Sequence, residues 1–273
     1  MRIDAHQHFW RYDPARDGWI TDEMSAIRRD FLFEDLRPEL CAARIDAIVA
    51  VQADQSETET HFLLDLARAN SEIAGVVGWV DLRAENAPAR LEYFSNFKVI
   101  RGFRHIAQAE PDDCFLVRDD FVRGVAQLAG LDLTYDILIY PRQLPAAVEL
   151  VRRLPRQRFV LDHIAKPNVK AGEIEPWASL IRQMSECENV YCKVSGLVTE
   201  ADWKNWKPSD LAPYLDVVFE AFGTDRLMFG SDWPVCLVAA SYRETVDLIA
   251  NYCGSDREKI FGANAARFYG LTA

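Results

Sequence analysis

Two histidines near the start of the chain have a spacing that suits catalysis or metal binding. His6 and His8 lie two positions apart within residues 2–9, a run that predicts a strand. Side chains alternate across a strand, so both imidazoles face the same side, opposite Gln7. A pair of imidazoles on one face at a strand end indicates that the histidines are metal ligands or electrophilic groups. A single histidine there more often indicates a hydrogen-bonded structural residue.

His163 and Asp232 end two other predicted strands, the sixth (LDH) and the eighth (MFGSDWP). Taken singly, each could be a packing or capping residue, and for Asp232 the alternative is the N-cap of the following loop or helix. If the strands close into a barrel, however, both residues converge with His6 and His8 at one mouth. A carboxylate facing imidazoles there provides a base for a water proton and donors for a developing oxyanion.

Substrate contacts are predicted at further strand ends. Arg104 and His105 end the fourth strand, and alternation places one of the two in the pocket. Gln52, near the end of the second strand, and Trp10, after the first, are the other predicted contacts. A salt bridge at the rim is the structural alternative for Arg104, and loop packing is the alternative for Trp10. Weaker candidates near strand ends are Asp81, Tyr140 and Lys193.

Eight short runs rich in β-branched and aromatic residues alternate with longer segments of helical period. This alternation is typical of βα units around a parallel sheet. A doubly wound sheet would carry a glycine-rich phosphate-binding turn after the first strand, and the sequence has no such turn. The pattern therefore predicts an α/β fold, a (β/α)₈ barrel that forms a single domain over residues 1–273. The predicted strands are residues 2–9, 46–53, 74–82, 99–105, 133–140, 158–164, 190–196 and 226–233.

Capping residues indicate where the helices between these strands begin. Ser56 with Glu59 predicts a capping box at the start of one helix, and Ser209 predicts the N-cap of another. After the eighth strand the sequence predicts two additional C-terminal helices, the second of which begins with a capping box of Ser255 and Glu258. The prediction is thus a barrel extended by helices at its C-terminal end.

Composition and charge exclude several classes of protein. The chain has 273 residues, of which 49% are hydrophobic and 27% charged, as in a globular protein. Its 31 basic and 42 acidic side chains give a net charge of −11, which would repel nucleic acid. The sequence contains neither an apolar run long enough to span a membrane nor a signal peptide, which predicts a cytoplasmic protein. Its 6 cysteines are scattered without a C-x-x-C pair and are predicted to be reduced.

The sequence resembles the amidohydrolase superfamily at DAHQHFW, since the first strand of that superfamily carries His-x-His. The segments RGFRH, LDHIAKP, KVSGLVTEADW and RLMFGSDWPVC follow in the order found in its sugar-lactonase branch. His-x-His alone has little specificity, but the later segments together are characteristic of the branch. The resemblance extends from Ile3 to the C-terminal helix. It implies a distorted (β/α)₈ barrel that hydrolyses an aldonolactone to the open sugar acid.

The resemblance also assigns roles to residues. It implies that the predicted mouth residues are catalytic: His6, His8, His163 and Asp232. Binuclear members of the superfamily hold two metals with a lysine on the fourth strand and a histidine on the fifth. Here the fourth strand ends in Arg104-His105 and the fifth in Ile139-Tyr140. The sugar-lactonase branch shares this difference, which implies that no cofactor is required, although zinc could bind adventitiously at His6, His8 and Asp232.

The expected reaction is acyl transfer from a lactone to water. Asp232 accepts a proton as water attacks the carbonyl and then returns it to the departing ring oxygen. The oxyanion is held by the three histidines, helped by Arg104 or His105. The expected partner is a small-molecule sugar lactone, with no nucleic acid and no membrane. The choice among L-fucono, L-rhamnono, L-galactono and D-arabinono lactones, the ring size and the oligomeric state stay open.

Two other functions fit the same residues. The first is a zinc-dependent decarboxylase or hydratase of an aromatic acid, in which the histidines and Asp232 are metal ligands. Loss of a stoichiometric zinc together with activity would favour it. The second is a non-enzymatic barrel that binds a sugar acid as a sensor, which would be favoured by binding without turnover. Imidazoles and a carboxylate directed into one mouth are costly to desolvate for binding alone, which argues against the sensor.

Overall fold

The architecture is that of a (β/α)₈ barrel, as predicted. The computed structural model describes residues 1–272, so Ala273, the last residue of the predicted domain, lies outside them. Within the described residues, eight parallel strands form one sheet in the order of the sequence. They are β1 (Ile3–Gln7), β2 (Ala47–Val51), β3 (Ile73–Gly78), β4 (Ile100–His105), β5 (Thr134–Ile137), β6 (Phe159–Leu161), β7 (Val190–Val194) and β8 (Leu227–Phe229).

Helices surround the sheet and follow each strand along the chain. They are α1 (Phe33–Ala43), α2 (Glu57–Ala69), α3 (Ala87–Ser95), α4 (Asp119–Leu128), α5 (Leu144–Arg153), α6 (Trp177–Ser185), α7 (Pro208–Phe222), α8 (Tyr242–Tyr252) and α9 (Asn264–Tyr269). Two 3₁₀ turns, Asp22–Ile27 and Val235–Val238, pack against each other. In the part of the chain that the structure describes, we find no helix with the length and apolarity needed to cross a membrane.

The barrel closes beyond the regular strands. Gln7 pairs with Trp233 in an isolated parallel bridge, and His8 N donates to Trp233 O at 2.7 Å. Asp232 N donates to His6 O at 2.9 Å. The residues after β8 therefore complete the sheet, and this closure brings Asp232 beside the two histidines of the first strand. All eight observed strands are shorter than the predicted ones, and at several strand ends the residues that follow the strand, among them His8, His163 and Asp232, line the mouth.

A register shift in β1 changes which side chains face the interior. Strict alternation would place Asp4 on the same side as His6. Instead, the pairing of β1 with β2 shifts between Asp4 and Gln7. Asp4 accepts a hydrogen bond from the hydroxyl of Tyr242 on α8, outside the sheet, whereas His6 lies inside it beside Lys193. Such irregularities re-aim side chains at barrel rims, and here the affected residue is a predicted catalytic histidine.

Hydrophobic side chains fill the lower barrel. Val49, Val160 and Met228 form one buried cluster with Phe268 and Tyr269 of α9. The helix α9 therefore covers the amino-terminal end of the barrel. Apolar residues on the outer side of the strands pack against the surrounding helices in a second, larger cluster. With one end of the barrel occupied, the carboxyl ends of the strands remain for a site.

Two of the three predicted helix starts differ from the structure. Helix α7 begins at Pro208 with Lys207 as its N-cap, because proline is favoured in a first turn; the prediction of Ser209 as the cap is wrong. Residues Gly254–Asp256 form a 3₁₀ turn and Lys259–Ala263 a π turn before α9, so the predicted capping box of Ser255 and Glu258 is also wrong.

The first predicted capping box is half formed. Ser56 Oγ accepts from Glu59 N at 3.1 Å, as expected for the N-cap of α2. The carboxylate of Glu59, however, accepts from Ala53 N at 3.1 Å and does not return to Ser56 N. A complete box caps α8, where Ser241 and Glu244 bond to each other's backbone. The contact of Glu59 with the loop before α2 therefore keeps this capping box from forming completely.

A pair of glycine substitutions tests the packing of helices on the barrel. A Cβ on Gly124 of α4 would lie 2.0 Å from the carbonyl oxygen of Leu82, whereas one on Gly130 would meet no described atom within 4 Å. We expect Gly124→Ala to lower the free energy of unfolding by about 1–3 kcal/mol, because the overlap outweighs the better helix propensity of alanine. Gly130→Ala should be neutral or stabilising by up to about 1 kcal/mol. Urea unfolding of both variants measures this, and equal effects would contradict it.

Candidate active site

A cavity of about 450 Å³ opens at the carboxyl ends of the strands. Apolar side chains such as Met24, Leu138 and Val235 form part of its wall, and Trp19 and Trp203 also line it. The polar groups on the wall come from loops that follow different strands. Those with ionisable side chains are His8, Arg104, His163, Lys166, Glu200 and Asp232. A concave cavity with several convergent polar groups is the usual form of a small-molecule site.

The structure brings the predicted catalytic residues together around Asp232. Its Oδ1 lies 3.3 Å from His8 Nε2, 3.8 Å from His163 Nε2 and 3.9 Å from His6 Nε2. His8, His163 and Asp232 line the cavity. His6 is fully buried directly below them, with its Nε2 at 3.1 Å from His8 Nε2. The predicted group of four therefore divides into three residues that face the cavity and one that supports them.

Of the predicted substrate contacts, Arg104 lies on the cavity wall. His105 points to the outer side of β4, where it bonds to Glu110 at 2.7 Å and stacks on Phe115. This outcome agrees with the alternation that allowed one of the two into the pocket. His105 is held by packing partners that are absent from any local sequence pattern.

Gln52 and Trp10 lie behind the wall. Gln52 Nε2 donates to the backbone oxygen of Arg104 at 3.0 Å. The backbone oxygen of Gln52 in turn accepts from the Arg104 guanidinium. Gln52 therefore positions the arginine. Trp10 donates to Arg29 O at 2.9 Å and packs edge-on against Phe31, which indicates loop packing. Among the weaker candidates, Tyr140 lines the cavity, Lys193 is buried below it, and Asp81 pairs with Arg83 at the surface.

The protonation states at the mouth suit a general base. Burial lowers the pKa of His8, and it lowers the pKa values of His6 and His163 well below the ordinary value, so these imidazoles are neutral near pH 7. Burial alone would raise the pKa of Asp232, but its contacts with His163 and His8 outweigh the burial and lower that pKa. The result is an ionised carboxylate facing neutral imidazoles.

Hydrogen bonds select the tautomers of the imidazoles. His8 Nδ1 donates to Val51 O at 2.8 Å, so in the neutral ring the lone pair is on Nε2. His163 Nδ1 lies 2.8 Å from Ser195 Oγ, whose hydroxyl can donate to it and leave Nε2–H directed to the cavity. The mouth therefore has acceptors at Asp232 and His8 and a donor at His163.

Two buried cations and two buried carboxylates lie beneath the mouth. Lys193 Nζ is 2.6 Å from Asp136 Oδ2 and 3.0 Å from Asp162 Oδ1, and Arg104 Nη1 is 3.0 Å from Asp162 Oδ2. Burial raises the pKa of Asp136 to about 6, whereas the pKa of Asp162 lies well below its ordinary value, because Lys193 and His6 outweigh the burial. Lys193 Nζ also lies 3.1 Å from His6 Nδ1, so the same network contacts the ring below His8.

Sequence reasoning missed Asp136 and Asp162, as well as the cavity residues Lys166 and Glu200. A signal existed for the two aspartates, since each interrupts an otherwise apolar strand, in TYDI and in VLDH. Lys166 and Glu200 occur inside LDHIAKP and KVSGLVTEADW, the segments that carry the family resemblance. Their side chains could not be assigned to the cavity because both follow strand ends through irregular backbone.

That backbone is strained where the site is built. Four consecutive residues have positive φ angles: His163 at 54°, Ile164 at 48°, Ala165 at 60° and Lys166 at 48°. Asp232 also has a positive φ, of 59°. For residues other than glycine this conformation costs about 1–2 kcal/mol each. Such strain clusters at functional sites, and here it turns the side chains that follow β6 and β8 toward the cavity.

One group of side chains has the geometry of a metal site. Ligand atoms of His6, His8 and Asp232 lie within 4.8 Å of one another. Four tetrahedral ligands at about 2.0–2.1 Å from an ion lie about 3.4 Å from one another. The distances from His8 Nε2 to His6 Nε2 and to Asp232 Oδ1, 3.1 Å and 3.3 Å, are close to this value. The residues therefore fit zinc. Arg104 Nη1, however, lies 3.2 Å from His6 Nε2, so a fixed cation already adjoins one ligand.

Comparisons with known proteins agree on one family. A family model described as amidohydrolase matches residues 3–271. An L-fucono-1,5-lactonase of Burkholderia multivorans is 43% identical over 99% of this chain and 96% of its own, and one of Burkholderia ambifaria is 38% identical over 98% and 95%. A crystal structure of an amidohydrolase from Burkholderia multivorans with bound zinc superposes with a TM-score of 0.94, at 43% identity and 100% coverage of both chains.

A glycine substitution tests the placement of His163. A Cβ on Gly196 would lie 2.6 Å from His163 Nδ1, so Gly196→Ala should displace the imidazole and break its bond to Ser195. Gly196 has a φ of 65°. Gly172 has a φ of 70° and would meet no described atom within 4 Å, which makes Gly172→Ala a control that shares the positive φ.

We expect both variants to lose about 1–3 kcal/mol of stability, because alanine is strained at positive φ. Gly196→Ala should in addition lower the kcat for an aldonolactone by at least about tenfold, because a misplaced group disturbs the reacting geometry. Urea unfolding and steady-state kinetics measure the two effects. Equal kcat values in the two folded variants would contradict the assigned position of His163.

Proposed function

Because this chain belongs to the amidohydrolase family, we propose that it is a carboxylic ester hydrolase that opens the ring of a sugar lactone, of which L-fucono-1,5-lactone is the leading candidate. The observation that carries the proposal is the ionised Asp232 beside His8 and His163 in the cavity at the carboxyl ends of the strands. The substrate follows from the relatives, since the two lactonases are 43% and 38% identical over nearly the whole chain. This activity belongs to carbohydrate metabolism.

Asp232 is the proposed general base. A water molecule between the carboxylate and the lactone carbonyl loses its proton to Asp232 as its oxygen bonds to the carbonyl carbon. The tetrahedral intermediate then collapses, the bond to the ring oxygen breaks, and Asp232 returns the proton to that oxygen. One water is consumed and one hydroxy acid is formed, so no other reactant is needed.

Arg104 and His163 are the proposed donors to the oxyanion. His163 presents Nε2–H to the cavity when Ser195 donates to its other nitrogen. Arg104 uses Nη1 on Asp162 and Nη2 on Gln52, while its buried Nε has no partner among the described residues. A fixed cation on the cavity wall is suited to a charge that develops during the reaction. His6 acts through His8, whose ring it orients.

Zinc has a proposed place but no required role. When bound by His6, His8 and Asp232, it would supply a Lewis acid that polarises a carbonyl or lowers the pKa of water. The buried guanidinium of Arg104 supplies a fixed positive charge at the same mouth. Since a lactone also needs less activation than an amide, we infer that hydrolysis proceeds without a divalent metal.

The lactonase proposal is favoured over the two alternatives from the sequence. A decarboxylase or hydratase of an aromatic acid shares the barrel and could use the same ligands, but the two relatives above 30% identity that have a named activity are lactonases. A sensor would not need an ionised base in contact with two imidazoles. The single domain of residues 1–273, the cytoplasmic location and the absence of a nucleic-acid partner stay predictions.

Turnover of a panel of aldonolactones tests the function. We expect acid release, followed with a pH indicator, from at least one of the L-fucono, L-rhamnono, L-galactono and D-arabinono lactones.

Asp232→Asn should lower kcat by about 10² to 10⁴, because the amide cannot accept the proton. The control Asp225→Asn makes the same change at an exposed carboxylate paired with Lys259. Failure on every lactone, or a fully active Asp232→Asn, would contradict the proposal.

Removal of metal tests the role of zinc. The protein is treated with a strong chelator, loss of metal is checked by elemental analysis, and kcat is measured with the best lactone. We expect kcat to stay within about twofold, because fixed protein charges replace the Lewis acid. Activity that collapses and returns with added zinc would contradict this expectation and favour the metal-dependent alternative.

A further inference from the structure

Two charged residues on the cavity wall take no part in the proposed reaction. Lys166 and Glu200 both line the cavity that contains Asp232. Lys166 ends the turn of positive φ angles after β6, and Glu200 ends the 3₁₀ turn Val198–Glu200 after β7. Their side chains are 13% and 22% exposed, so each is largely removed from bulk water. Charged groups are costly to bury, and their presence on the wall of a cavity calls for a ligand.

The two side chains are paired loosely. Lys166 Nζ lies 3.8 Å from Glu200 Oε1, which is longer than a hydrogen bond. The charges therefore compensate each other while both groups keep hydrogen-bonding capacity. Burial raises the pKa of Glu200, although Lys166 opposes the effect. An ion pair with unused donors and acceptors is suited to bind a neutral polar molecule.

The surrounding backbone holds Glu200 in place. Lys170 N donates to Glu200 O at 3.0 Å. Thr199 Oγ1 donates to Gly196 O at 2.7 Å, and Trp203 Nε1 donates to Thr199 O at 2.8 Å. Because Gly196 also contacts His163, the position of Glu200 is tied to that of the reacting groups. Preorganisation of this kind reduces the entropy lost on binding.

Two amides on the same wall also have bonding capacity left. Gln108 Oε1 is buried without a partner among residues 1–272. Gln55 Oε1 accepts from Ile106 N at 2.8 Å, which fixes the amide group with its NH₂ pointing away from this bond. Both residues line the cavity. The wall therefore carries two amide side chains beside the ion pair, so it has both neutral and charged polar residues.

We propose that Lys166 and Glu200 are the specificity-determining pair, and that they bind two adjacent hydroxyl groups of the sugar lactone. The inference rests on the proposed function and extends it to a feature of the substrate. A carboxylate can accept from two neighbouring hydroxyls at once, and an ammonium donates to their oxygens. The pair has no net charge, so it favours a neutral polyol over the second carboxylate of an aromatic or dicarboxylic acid.

Kinetics with two substrates test the pair. The variants Glu200→Gln, Glu200→Ala and Lys166→Met are compared on L-fucono-1,5-lactone and on δ-valerolactone, which has the same ring without hydroxyls. On the sugar lactone we expect kcat/KM to fall by about 10- to 100-fold, mainly through KM, as for a lost hydrogen bond to a charged group. On δ-valerolactone the change should stay within about threefold, because the missing hydroxyls leave nothing to lose.

Matched controls exclude a general effect of lost charge. Lys259→Met and Glu186→Gln make the same substitutions in exposed ion pairs outside the cavity, with Asp225 and Arg152 respectively. They should leave kcat/KM for both lactones unchanged. Equal losses on both lactones in the Lys166 and Glu200 variants, or losses on neither, would overturn the proposal. The first result would indicate a structural role, and the second would place the hydroxyls elsewhere.

A binding measurement separates this proposal from the proposed function. L-Fuconate, the hydrolysis product, and hexanoate, which has a carboxylate but no hydroxyls, are titrated while tryptophan fluorescence is followed. Trp19 and Trp203 on the cavity wall provide the signal. Lys166→Met and Glu200→Ala should weaken binding of L-fuconate by about 10-fold or more and leave hexanoate unchanged. The binding measurement tests the pair even if the wild type hydrolyses no lactone. Undiminished L-fuconate binding in both variants would overturn the role of the pair.

Discussion

The buried ion pairs inside the barrel are the interaction on which the site depends. Lys193 and Arg104 are enclosed with Asp136 and Asp162, so each charge is compensated within the interior. Removing one member would leave a buried charge without its partner, which costs far more than an exposed ion pair contributes. Because Lys193 and Arg104 also contact His6, the same network fixes the ring that supports His8. Electrostatics below the mouth therefore determine geometry at the mouth.

The active-site side chains lie just beyond the regular strands, in backbone of unfavourable conformation. β6 and β8 each have three residues, and His163 and Asp232 follow them with positive φ angles. Glycines make room for this arrangement, since a Cβ on Gly230 would lie 2.6 Å from His6 Cβ. The hydrophobic packing of the barrel and the helices around it stabilises the fold and offsets the energy of this strain. A rigid scaffold thus holds a few residues in positions that a short peptide would not adopt.

The cavity combines two chemical environments in one small volume. Asp232, His8 and His163 form the proposed reacting group, while Lys166 and Glu200 lie on the same wall, beyond β6 and β7. Both sets are tied to His163, one by direct contact and the other through the backbone near Gly196. Reaction and recognition are therefore coupled through a shared loop structure, as expected for an enzyme that uses binding energy to orient its substrate.

The sequence by itself determined the barrel and the convergence of His8, His163 and Asp232, because strand periodicity and the order of βα units are local patterns that a closed sheet must respect. It did not determine which polar strand-end residues enter the cavity. Gln52 and Trp10 were directed behind the wall by long-range partners, and the face of His6 was set by a register shift between strands. Only the folded chain decided these points, since their energies arise from contacts between residues far apart in sequence and from backbone strain that the whole structure sustains.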